Sequence, residues 1–498
     1  MPLNIHKKSF DETTTVAIIG AGPSGAFTAK ALQKIGIPAK NITLLEKKGV
    51  AGGKCHTWQH PENQDVTAEE GAALITYNYG VVLDLIQEKK IALEEVIPTQ
   101  HSSVHFIKQY EEKRGFDKMA FAGEFCLELM KYDMALRQYL HTRDNHLALP
   151  EEFKLPFAEF AKRKGLNKLN DLLRPLVTGF GYGAMDVFPT YSVFEYIGKT
   201  THLTMAAPYG PFFGIKGGFQ RLIEAIVADY NLITSATITS IVRNKNSNHH
   251  AVHIKYDHHG TACELKADYL ILALPPVHWH ELGLDSTPVE LACMQNVKFY
   301  KYLVAVGQLE NYPAQHTFFE EALHQDGFGK LALITTRDAR SNPKEGRIVT
   351  AYYNQPQCSL RSNPEPITPD IAKMEDELKL ATGATKAKIL ETHLWDDYCS
   401  SLSWELMCEL DSHQFTNATG YVGPYNLGSF EDVCCVAEHA TKLIASYFAP
   451  EPAKVYHHSL MADLKRAWGL FKTPKTQPMG SPSKEETLNP NDETSCLL

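Results

Sequence analysis

An α/β fold around a parallel sheet is what this sequence predicts, and three observations predict it. A glycine-rich turn at residues 20–25 lies between a short apolar run and a segment of helical periodicity. A second apolar run follows and ends on an acid at position 46. Far downstream, at 217–228 and 421–448, glycine-containing stretches again lead into apolar helical segments.

The chain has 498 residues, which suggests about three domain-sized units. Hydrophobic residues make up 44% and charged residues 21%, a balance that excludes a wholly disordered, collagenous or disulfide-stapled chain. The net charge of -9 repels a phosphate backbone, so nucleic acid is not expected as a partner. The ten cysteines are scattered without C-x-x-C spacing, as expected of free thiols in a reducing compartment. The first fifteen residues lack an apolar signal core, and no run approaches the ~20 apolar residues of a membrane span. The expected location is cytoplasmic. Cys496 stands third from the end, where a prenylation box needs the fourth position.

The first elements follow in order. Val16–Ile19 reads as a buried strand, Gly20-Ala21-Gly22-Pro23-Ser24-Gly25 as a turn, and Ala26–Ile35 as a helix with Phe27, Ala31, Leu32 and Ile35 on one side. Ile42–Leu45 is the second strand, closed by Glu46. This is the G-x-G-x-x-G strand–turn–helix–strand context that binds a dinucleotide. Gly20 allows the tight turn, Gly22 lets the backbone approach a pyrophosphate, and Gly25 lets helix and strand pack closely. Pro23 suits the first helical turn, and the N–H groups from Ser24 onward offer a partly positive anchor for phosphate. Glu46, 21 residues after Gly25, can accept both ribose hydroxyls and would repel a 2′-phosphate; Lys47 beside it is assigned to the same site.

A second loop follows directly, Gly52-Gly53-Lys54-Cys55-His56, and then Ala68-Glu69-Glu70-Gly71-Ala72-Ala73. This order resembles the flavin amine oxidase and phytoene desaturase superfamily, in which a G-G-[RK] stretch follows the ribose acid. The resemblance implies FAD as cofactor. It implies a discontinuous Rossmann-like FAD-binding domain (11–80, 210–275 and 410–448) with an α+β substrate-binding cap (81–209 and 276–409). Three later stretches carry it further: Gly217-Gly218 before the helix Arg221–Ala228, the strand Ala236–Ile241 with Ile238 placed to contact adenine, and the run 267–276 ending in two prolines. The last stretch is Tyr421–Val433, leading into a helix to about Phe448. The resemblance puts Gly423, Ser429, Phe430 and Val433 at the ribitol and the pyrimidine side of the flavin. Relatives carry an acid where Gly423 stands.

Within the superfamily, Lys54-Cys55-His56, Phe180-Gly181-Tyr182-Gly183 with Pro189, and Gly428–Cys434 are most similar to bacterial polyenoic fatty acid isomerases. The implied reaction moves a hydride from a C–H between two double bonds to flavin N5 and returns it to another carbon. The implied partner is an apolar small-molecule substrate. The relatives' arginine-rich segment has no arginine here; the stretch 98–106 offers His101 and His105 instead.

Catalytic candidates are Tyr182, His56 and Trp395. His56, with Cys55, either tunes the flavin ring or packs in a tight turn. Tyr182, and the run 203–213, either line a cavity or belong to the core. Trp395 either faces substrate or wedges cap against sheet. No metal site is expected: His249, His250, His253, His258 and His259 flank a probable hairpin (strand Ala251–Tyr256) and read as solvated. Residues 449–472 are expected to carry an amphipathic helix, over 459–472, able to pack on the domain or touch a membrane surface. The stretch 473–498 is expected to be a disordered acidic tail, loosely similar to secretion signals of bacterial effectors. Beside isomerisation stand two alternatives: an FAD-dependent amine oxidase or polyene desaturase, and a flavin-stabilised scaffold or secreted effector.

Overall fold

The structure is a computed structural model; it describes residues 10–75, 79–96, 117–145, 147–197, 212–244, 250–313, 316–336, 346–359, 368–423 and 433–448. Its centre is a five-stranded parallel sheet in the order Thr419–Tyr421, Tyr269–Leu272, Val16–Ile19, Ile42–Leu45, Asn231–Ile233. Val16 sits between Tyr269 and Ile42, and Ile19 between Leu272 and Leu45. All four residues of Val16–Ile19 are buried, because both faces of the sheet are covered.

One face carries the helix Pro23–Lys34, which packs against Val433–Phe448 and Phe219–Val227. Ile18, Phe27, Leu32, Leu222, Ile226 and Ile444 share that core. The first helix starts at Pro23 and ends at Lys34, three residues earlier at its start than apolar spacing predicts. Gly22 takes an extended N-cap conformation and Pro23 occupies the first turn, so the glycine motif itself enters the helix. The other face carries a three-stranded antiparallel meander, Ala236–Arg243, Val252–His258 and Thr261–Ala267. Ala17, Ile19, Leu270 and Leu272 pack there with Ile241 and Ile254.

A five-stranded mixed-length antiparallel sheet stands beside this unit, in the order Thr317–Phe318, Leu331–Thr336, Arg347–Ser359, Lys298–Leu309, Ala387–Ser401. The helices Lys118–Asp144, Phe157–Lys164, Asn167–Thr178 and Thr190–Ile197 cluster around Tyr132, Phe157, Phe160 and Phe194. Asp117 caps the longest, accepting from the N–H groups of Met119 and Ala120. A buried ion cluster ties distant segments together. Arg243 donates to both oxygens of Glu290 at 2.6 and 2.9 Å and to Asp285 at 2.7 Å, and Tyr421 Oη donates to Glu290 at 2.7 Å. No helix among the described residues is long and apolar enough to cross a membrane.

Candidate functional site

The carboxyl ends of the five parallel strands lie on one edge, and the predicted cofactor residues follow those ends. Gly20 follows Ile19, Glu46 follows Leu45, Ser235 follows Ile233 after one residue, Ala273 follows Leu272, and Val422–Gly423 follow Tyr421. In open α/β sheets this edge is where ligands bind.

The loops are built around close approach. Gly20 has φ +102°, and its N–H donates to Leu45 O at 2.8 Å. A Cβ on Gly25 would lie 2.0 Å from Gly20 O, so only glycine brings helix and strand this near. Gly22 and Gly53 face each other: a Cβ on Gly53 would come within 2.8 Å of Gly22 Cα and 3.5 Å of Pro23 Cδ. The Gly52 N–H donates to Ala21 O at 3.0 Å, fixing the second loop on the first. The helix from Pro23, with Ser24 and Gly25 in its first turn, has no side-chain cap and no acid there.

Glu46 is buried, and its carboxylate accepts from Ala21 N and Lys48 N, both at 2.9 Å. Its carbonyl accepts from Ala236 N at 2.9 Å, which sets the strand holding Ile238 beside it. Ile238 is buried at a register shift of the meander. Lys47 turns outward to Glu281 at 2.7 Å and is largely exposed. Lys54 turns to Asp397, its Nζ 2.6 Å from the carbonyl and 3.4 Å from Oδ2. Gly423 closes the edge; Val433 begins the helix Val433–Phe448. Ser429 and Phe430 lie outside the described residues, as do the stretches 98–106, 203–211 and 449–498.

The three catalytic candidates come together through one ring array. His56 lies 6.2 Å from Trp395, Trp395 lies 6.2 Å from Tyr398, and Tyr398 lies 6.4 Å from Tyr182 and 4.6 Å from Tyr302. Tyr182 is buried and 4.9 Å from Tyr196. Its flanking glycines have positive φ, and a Cβ on Gly181 or Gly183 would strike the ring of Tyr302 or Tyr300. Trp395 Nε1 donates to Glu70 O at 2.7 Å, and Lys48 Nζ lies 5.4 Å from its ring centroid.

Charges concentrate beside this array in groups that sequence spacing missed. Asp397 accepts from Lys54 and His278, and His278 reaches Glu281 through its other nitrogen. Burial disfavours the charged form of Asp397, yet Lys54 and His278 outweigh it and hold its pKa well below the carboxylate range. Burial likewise opposes the imidazolium of His278, but Asp397 and Glu281 raise its pKa above the ordinary value. His56 Nδ1 donates to Glu70 Oε2 at 2.6 Å, and His393 stacks 5.0 Å from His56, its pKa lowered mainly by burial. Of the five histidines flanking the predicted hairpin, His249 lies outside the described residues; His250, His253, His258 and His259 are not part of this group, and His259 sits in the hairpin turn with φ +54°.

A parallel sheet with glycine loops on its carboxyl edge, joined to an antiparallel sheet rich in buried aromatics, defines a two-part α/β scaffold of the dinucleotide-binding type. Residues 23–291 match the family described as flavin containing amine oxidoreductase, and the chain belongs to that family. That family is one of flavin-containing oxidoreductases. A curated relative, Aplysianin-A of Aplysia kurodai, is 35% identical over 91 residues, 18% of this chain and 16% of that protein. Among solved structures, the CLA-producing fatty acid isomerase from P. acnes superposes with a TM-score of 0.70 at 21% identity, over 88% of this chain and 100% of that one. Putrescine oxidase bound to putrescine gives 0.57 at 13% identity, over 87% and 98%.

Proposed function

We propose that the chain binds FAD along the carboxyl edge of its parallel sheet and shifts double bonds in an unsaturated fatty acid or similar apolar substrate without net oxidation. The edge fits that cofactor. The bare faces of Gly22 and Gly53 and the uncapped helix start at Pro23–Gly25 suit a pyrophosphate. Glu46, fixed by two backbone donors, suits a ribose, with Lys47 at its side, and Ile238 suits the adenine. Gly52, Lys54, Gly423 and the segment of Ser429, Phe430 and Val433 would hold the flavin half.

Bound FAD supplies a hydride acceptor and donor at N5. The chain's own part is to orient the substrate and exclude water. The observation that carries the reading is the buried array of Tyr182, Tyr196, Tyr302 and Tyr398. Its ring faces suit a hydrocarbon chain, and the glycines at 181 and 183 let the segment of Tyr182 come close to the rings of Tyr302 and Tyr300. The superposition along the full length of a fatty acid isomerase supports the same substrate class. The reading includes a cytoplasmic location and delivery of substrate from a membrane surface through residues 459–472.

Amine oxidation is the second reading, favoured by the family's description and by the putrescine oxidase superposition. Aromatic faces also attract ammonium groups. Anaerobic incubation of the holoprotein with a polyunsaturated fatty acid separates the two. Product of unchanged mass with conjugated double bonds supports isomerisation. Peroxide formed in air with a polyamine, and no lipid product, would replace it with the second reading.

A further inference from the structure

We propose that His56, Glu70 and His393 form a site for one first-row divalent cation of the zinc type, at the seam between the hairpin Thr57–Glu69 and the strand Ala387–Ser401. One ligand atom from each of the three residues lies within 4.8 Å of the others. Two imidazoles and a carboxylate are the donor set that borderline ions prefer, whereas calcium and magnesium take oxygen ligands.

A second observation points to a missing ligand. Glu70 is 1% exposed. Its Oε2 accepts from His56, but its Oε1 has no hydrogen-bond partner among the described residues. A buried carboxylate oxygen without a donor is costly, and a bound ion is one of the few things that satisfies it. The cluster reaches solvent through His56, whose side chain is 35% exposed, so an ion can enter and a water can complete the coordination.

The geometry needs only small side-chain motion. Bonds of about 2.1 Å in a tetrahedral shell place ligand atoms about 3.4 Å apart. The His56–Glu70 pair at 2.6 Å must open, and the widest pair, at most 4.8 Å, must close. The backbone beneath is already fixed: Glu70 N donates to His56 O at 3.0 Å and Trp395 Nε1 donates to Glu70 O at 2.7 Å. Trp395 thus holds the main chain of Glu70, and its strand presents His393 two residues earlier, with the two rings 4.1 Å apart. No spacing in the sequence reveals the set, because His393 lies far downstream of the other two on a different sheet.

The test uses full-length protein without a histidine tag, stripped with a chelator and titrated with Co2+ under visible absorption and with Zn2+ by calorimetry. One ion per chain, with the intense cobalt bands of a four- or five-coordinate site, is expected. His56→Ala and His393→Gln should each weaken binding by at least about 100-fold, more than loss of an outer-shell partner typically does. Zn2+ should raise the melting temperature of the parent and not of these variants; circular dichroism verifies that each is folded, and having two variants guards against a misfolded one. The His258→Ala, His259→Ala double variant should bind as the parent does. Absence of saturable binding, unchanged affinity in the His56 and His393 variants, or loss of binding in the meander variant would overturn the site.

Discussion

Replacing Gly22 with alanine should strip the protein of FAD while leaving it folded. Gly22 has φ -84°, which any L-residue adopts, so alanine carries no backbone penalty there. The added Cβ would meet Gly53 Cα at 3.3 Å and Gly53 N at 3.8 Å. A shift of a few tenths of an ångström relieves that contact, and overpacking of this size lies at the low end of its range, about 1 kcal/mol. The methyl nevertheless fills the gap between the two loops, where the proposed FAD would set its pyrophosphate against both backbones. Pushing the phosphate off a backbone N–H loses a hydrogen bond to a charged group, about 1.5–3 kcal/mol of binding free energy. That is on the order of 10- to 150-fold in affinity. Gly25→Ala is the contrasting variant. Its Cβ would overlap Gly20 O at 2.0 Å, with Gly20 C at 3.1 Å and Ile18 Cγ2 at 3.3 Å, so the helix must leave the strand. Gly25→Ala should therefore lower the melting temperature of the apoprotein itself. The assay is fluorescence titration of apoprotein with FAD, paired with thermal unfolding of the same samples. A Gly22→Ala variant that binds FAD with parental affinity would refute the placement of the pyrophosphate between these loops.

Three further outcomes are expected from urea unfolding curves. Glu46→Ala leaves the N–H groups of Ala21 and Lys48 without their acceptor and should cost about 1–3 kcal/mol for each that stays dry, even without cofactor. Arg243→Met strands the carboxylate of Glu290 in the core and should cost about 3–5 kcal/mol; adding Glu290→Met should recover most of it. His316 is buried with neither ring nitrogen partnered among the described residues, and burial lowers its pKa from 6.5 to about 4. Its folded-state pKa is depressed, so the unfolded chain takes up the proton first as pH falls. Stability should be unaffected by this group above pH 6.5, fall by about 3 kcal/mol towards pH 4, and level off below. His316→Phe should flatten that part of the profile, and an unchanged profile would show that His316 is not the group responsible.

What the sequence made legible was local. The turn at Gly20–Gly25, the strands around it and the acid at Glu46 lie within one unit, and each glycine has a short-range reason. The parallel α/β class followed from that unit. Tyr182 between two glycines was visible as an oddity, but its cause was not: the rings of Tyr300 and Tyr302 stand on a strand over a hundred residues away. Lys54 is visible only as the cation of the second glycine loop; that its amine is held by Asp397, 343 residues on, is not. The same holds for Trp395 and Glu70, separated by 325 residues. Periodicity reports which face of an element is apolar; it carries no information about which distant face will meet it. The earlier start of the first helix is a smaller case, because apolar spacing cannot see a glycine N-cap followed by proline.

The strand order of the parallel sheet has a consequence for biosynthesis. Thr419–Tyr421 closes the sheet on the flank of Tyr269–Leu272, and it is the last of the five strands to leave the ribosome. Until then the nascent chain presents a bare row of amides and carbonyls along Leu270–Leu272, a template for wrong pairing. A polypeptide cut short before that strand would be an incomplete clasp with a sticky border, so completion of the sheet waits on the segment Thr419–Tyr421.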